Sequence, residues 1–154
     1  MISESLVAAL LTAISGYTGY AIPGDPPHIT TLPHDALAQQ VCGQPCQVFG
    51  FTSPNGDIVL DEGLKVGTDP VATSILVHEL THFLQIKSVA HPQPIDCRTW
   101  NDREREAFAV QIRWLRDTAS SIQVFSVEMA RLNLAGMHET CTSAVPQPRT
   151  SLPS

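Results

Sequence analysis

The stretch DPVATSILVHELTHFLQIK (69–87) constrains this chain more than any other. Asp69 suits an N-cap and Pro70 the first helical position, so a helix is predicted from there through Lys87. Ile75, Leu76, Leu80, Phe83 and Leu84 spread apolar side chains over most of its circumference, a pattern for a deeply buried helix. Into it the sequence places His78, Glu79 and His82. Residues four apart share a helical face, one turn from each other, so the two imidazoles stand together. Polar groups on so apolar a helix need partners. A zinc ion gripped by both imidazoles is such a partner, and Glu79 is then placed to act on a water.

A catalytic zinc takes three protein ligands and keeps one position open. In the extended motif a third His would fall at residue 88, which is Ser88, and position 85 is Gln85 instead of Gly. A third His within the motif is excluded, and the alternative is a Glu from a following helix. The run EREAFAVQ (104–111) offers Glu104 and Glu106. At about 100° per residue, Glu104 aligns with Phe108, Gln111 and Leu115, the buried face. Glu106 aligns with Val110, Arg113 and Asp117, a largely solvated face, and by default reads as a surface carboxylate; with Gln85, Gln111 and His91 it is also a candidate to orient a ligand or meet substrate. A carboxylate aimed into the core needs a reason, and a metal is one. The expected ligands are His78, His82 and Glu104.

Around this centre the elements fall in order. Leu6, Leu10, Ala13 and Ile14 have helical spacing, predicting a helix over residues 4–16 ended by Gly16 and Gly19. PGDPPHI (23–29) is a connector, and Thr31 is placed to cap a short helix over PHDALAQQV (33–41). Two β-prone runs, 47–52 and 57–60, flank SPNG (53–56) and predict an antiparallel hairpin. Further strand could lie in 25–32 or 86–90. TWND (99–102) resembles a capping box and opens the helix of Glu104. A further helical stretch covers IQVFSVEMARLNLA (122–135), ending at Gly136. The expectation is one α+β domain over residues 1–140, followed by a disordered Pro- and Ser-rich tail over 141–154.

Bulk properties narrow the partners. Net charge is −6 with Lys and Arg scattered singly, so neither nucleic acid nor an anionic membrane is expected to bind. No run reaches the roughly 18 apolar residues of a membrane span. The N-terminal stretch has Glu4 where a signal peptide carries Lys or Arg, and reads as a domain helix. Cys42, Cys46, Cys97 and Cys141 allow three disulfide pairings. Cys42 and Cys46 also have the spacing of half a zinc site, without a matching second pair. Disulfides would indicate an exported, periplasmic or secreted protein, and free thiols a cytoplasmic one.

With its HExxH helix and later Glu104-Arg105-Glu106-Ala107, the chain resembles the gluzincin zinc metallopeptidases, whose third ligand is often the Glu of an E-x-x-A run. It is most similar to the minimal forms of that group and to small uncharacterised bacterial HExxH proteins, over about residues 5–118. The resemblance implies a zincin-like α+β fold: an N-terminal helix, a short antiparallel sheet, the HExxH helix and a Glu-bearing helix. It implies Zn2+ and peptide-bond hydrolysis with Glu79 as general base, on a substrate added as a strand at the 47–60 hairpin edge. The other reading is a non-catalytic binding or regulatory module with a structural or latent zinc. One departure stands out: the Asp usual after the E-x-x-A alanine is Phe108 here. Its orienting role would fall to Gln85 or Gln111. No oxyanion donor is named by spacing; His91, Tyr17 and Tyr20 are available. His28, His34 and His138 read as surface histidines.

Overall fold

Residues 2–89, 96–118 and 128 are described in a computed structural model of the chain. Helix α1 (Glu4–Thr18) starts where the Ser3 hydroxyl accepts the Leu6 N–H at 3.3 Å. It runs through Gly16 and stops at Gly19, whose φ of 79° lets its N–H close on the Ser15 carbonyl at 2.8 Å. Strand β1 (Ile29–Leu32) leads directly into α2 (His34–Cys42). Thr31 therefore lies in a strand and does not cap α2, which Pro33 precedes.

Strands β2 (Gly50–Thr52) and β3 (Ile58–Asp61) form the expected hairpin. Gly56, at φ 97°, turns it by donating to the Ser53 carbonyl at 2.9 Å. The sheet is mixed, with order β1-β3-β2, and not the purely antiparallel one expected. β1 pairs with β3 in parallel, Ile29 opposite Ile58 and Leu32 opposite Asp61. Intervening α2 and β2 allow this, because a parallel pair needs a long crossover between its strands.

Helix α3 (Pro70–Lys87) begins as predicted. The Asp69 carboxylate accepts the N–H groups of Val71 (2.8 Å) and Ala72 (3.2 Å). Helix α4 (Cys97–Thr118) begins ahead of the expected capping box. Asp96 serves instead, accepting the Thr99 N–H at 2.7 Å, and that bond holds its carboxyl below the usual range.

α3 is apolar on most sides because it has neighbours on most sides: α1, α4, β2 and β3. Its Leu76, Val77, Leu80, Phe83 and Leu84 meet Leu10 and Ile14 of α1, Ile58 and Leu60 of β3, and Val110 of α4 in one core. Each such side chain taken from water is worth about 1.5–3 kcal/mol. Cys42 and Cys46 are joined by a disulfide, so they are not a pair of metal thiolates. None of the described cysteines is a free thiol. No helix among the described residues is long and apolar enough to cross a membrane. The expectations for Cys141, His91, His138, the 122–135 helix and the 141–154 tail lie outside the described residues.

Candidate metal centre

α3 and α4 pack side by side and bring His78, His82 and Glu104 together. The two Nε2 atoms are 3.1 Å apart. Glu104 places Oε2 at 3.3 Å from His78 Nε2 and Oε1 at 3.1 Å from His82 Nε2. Ligands about 2.0–2.1 Å from a tetrahedral zinc stand about 3.3 Å from one another. Two imidazole nitrogens and a carboxylate oxygen therefore meet at separations that fit one such ion. The three groups also hold each other. Burial pushes the Glu104 carboxyl up, but the hydrogen bonds and charge of His78 and His82 outweigh it and hold the group well below the usual range. Burial likewise lowers His82, and Glu104 outweighs it, raising the imidazole to about 9.

The other ring nitrogens differ. His82 Nδ1 lies 2.9 Å from Gln85 Oε1, one turn on along α3. Gln85 Nε2 donates to Glu106 Oε2 at 2.8 Å and to the Arg103 carbonyl at 3.0 Å. Tyr20, just beyond α1, donates its hydroxyl to the same Glu106 oxygen at 2.8 Å. Burial, with Glu106 beside it, raises the Tyr20 phenol to about 12. His78 Nδ1 is buried with no hydrogen-bond partner among the described residues, and the Phe108 ring stands 4.4 Å from the His78 ring.

Sequence reasoning placed Glu106 on a solvated face, and the structure corrects this. α4 is flanked by α1 as well as α3, so Val110 is in the core and Glu106 is half-buried between Tyr20 and Gln85. Gln111 is a core amide that donates to the Ser74 hydroxyl at 2.9 Å. Tyr17 donates to Asp117 at 2.6 Å beneath the Arg113 guanidinium. His34 is exposed, as expected, and paired with Asp61 at 2.7 Å.

Glu79 is buried against β2. The Thr52 hydroxyl lies 2.7 Å from Glu79 Oε2 and 3.0 Å from the Glu79 carbonyl oxygen. Two residues earlier on the strand, a Cβ on Gly50 would meet Glu79 Cγ at 2.8 Å and Oε1 at 2.9 Å. Neither Gly50 nor Thr52 was singled out from sequence. The available signal was the glycine itself: Gly inside a β-prone run marks a close approach of another group. β2 ends the strand order, leaving its outer edge without a strand partner among the described residues.

No protein-family model, curated protein or solved structure matches the chain.

Proposed function

We propose that this chain is a zinc-dependent metallopeptidase of the gluzincin type, with a zincin-like domain reduced to its essentials. The observation that carries the reading is the convergence of His78 Nε2, His82 Nε2 and a Glu104 oxygen at 3.1–3.3 Å. Two His and one carboxylate also suit other ions, non-haem iron among them. Glu79 distinguishes the zinc peptidase reading, because it puts a second, unligated carboxylate beside the first ligand.

His78, His82 and Glu104 would hold the ion. When bound, zinc supplies a Lewis acid for a peptide carbonyl and acidifies water. Glu79 accepts the proton of the attacking water and passes it to the leaving amine, first as general base and then as general acid. Thr52 holds one Glu79 oxygen, and Gly50 leaves room for the other. The outer edge of β2, the strand that carries Gly50 and Thr52, offers backbone groups to an extended peptide, with the peptide adding as a strand.

The test is hydrolysis of an unstructured protein such as casein, with and without chelator, by the wild type and by Glu79→Gln. The expected result is chelator-sensitive hydrolysis that falls by about 10²-fold or more in Glu79→Gln while zinc content is unchanged. Equal hydrolysis by the variant would refute the mechanism. Zinc bound without hydrolysis of any peptide would indicate the non-catalytic binding module.

A further inference from the structure

The amide of Gln85 is neutral and can present either its oxygen or its NH2 to His82. The choice matters. An NH2 facing Nδ1 would require the imidazole proton on Nε2, the atom that converges with His78 and Glu104. An oxygen facing Nδ1 requires the proton there and leaves the Nε2 lone pair for a metal.

We propose that Glu106, held by Tyr20, makes this choice: it is a positioning residue that acts on the metal centre through Gln85. The inference rests on the reading of His78, His82 and Glu104 as metal ligands. Two acceptors face the Gln85 nitrogen, Glu106 Oε2 at 2.8 Å and the Arg103 carbonyl at 3.0 Å. Both require NH2 on that side, so Oε1 is left for His82 Nδ1 at 2.9 Å. The Tyr20 hydroxyl, at 2.8 Å, fixes the carboxylate from the segment just beyond α1. Gln85 is only 3% exposed, so water does not replace a lost partner freely. The chain Tyr20–Glu106–Gln85–His82 thus ties the segment after α1, together with α4 and α3, to one ring nitrogen. His78 has no equivalent among the described residues, since its Nδ1 is unpartnered and Phe108 packs against its ring.

The experiment measures zinc affinity by chelator competition in Gln85→Met, Glu106→Leu, their double variant and Tyr20→Phe. It also records the His82 Nδ1–H resonance in each metal-free protein. Groups that orient a ligand are typically worth 10–100-fold in metal affinity. Gln85→Met is expected to weaken zinc binding within that range and Glu106→Leu by roughly tenfold. The Glu106→Leu loss should vanish in the Gln85→Met background, because it acts only through that amide. Tyr20→Phe, the mildest change sterically, should weaken binding less and speed exchange of the Nδ1 proton. A Glu106→Leu loss of equal size in both backgrounds would overturn the relay, as would an Nδ1–H resonance indifferent to Gln85→Met. Should the wild type bind no zinc, the metal reading itself fails, and the Nδ1–H resonance still decides whether Glu106 orients Gln85.

Discussion

Glu79 and Gly50 set the tightest steric condition at the scale of single residues. A side chain at Gly50 would overlap the Glu79 side chain at 2.8–2.9 Å. Gly50→Ala is therefore expected to push the Glu79 carboxylate out of its seat. The expected cost is about 1–3 kcal/mol of stability, as for other overpacked sites. Hydrolysis should fall while zinc content stays at the wild-type level, a combination checked by pairing denaturant melts with metal analysis. That Glu104, and not Glu106, faces His78 and His82 was legible at this scale, because helical phase alone separates residues two apart. The surroundings of Glu106 were not. Its partner Tyr20 is 86 positions away along the chain, and periodicity within α4 carries no trace of α1. Arg113 on the same stripe is indeed exposed, but Val110 between them is buried. A stripe that is half wet and half dry reads as wet when judged by its charges.

Elements were legible where a cap and a period agreed. Asp69, Pro70 and the apolar run of α3 all point to the same start, and the helix begins there. Asp69→Ala removes the acceptor for two N–H groups and is expected to cost about 1 kcal/mol, read as a lower thermal midpoint with the native spectrum retained. α4 starts at Cys97, with Asp96 ahead of it accepting the Thr99 N–H, and not at the expected Thr99. Local pattern does not say how far the preceding chain can be wound before packing stops it. β1 falls inside the 25–32 stretch that could hold a strand, but its bounds were not legible: four residues with β-branched side chains on an edge carry too little period. Its parallel pairing to β3 depends on where α2 delivers the chain, which no local signal encodes.

The proposed metal site and the stability of the whole molecule are coupled through protons. In the metal-free protein His82 is raised from its ordinary 6.5 to about 9, so the stability it contributes is fully present below 6.5 and is lost as pH rises through 9. Glu104 is shifted the opposite way from 4.5, so its contribution is present above 4.5 and is lost as pH falls below it. The metal-free protein is expected to gain most from the pair between these ordinary values and to lose the His82 share towards pH 9. Bound zinc would reverse the trend, because metal ligation needs the imidazoles neutral. The zinc-induced rise in thermal midpoint should therefore be larger at pH 8 than at pH 6. At a hundredfold excess over Kd the stabilisation is about 2.7 kcal/mol. A midpoint rise that is the same at both values would show that His82 does not lose a proton on binding.

X-ray absorption at the zinc edge, with metal content measured on the same samples, reaches the central claim most directly. The expected result is one zinc per chain with nitrogen and oxygen neighbours at about 2.0–2.2 Å. Zinc should be lost in Glu104→Ala and kept in Glu79→Gln. A wild-type protein that takes up no zinc, or a Glu104→Ala protein that keeps it in an unchanged environment, would contradict the His78–His82–Glu104 centre.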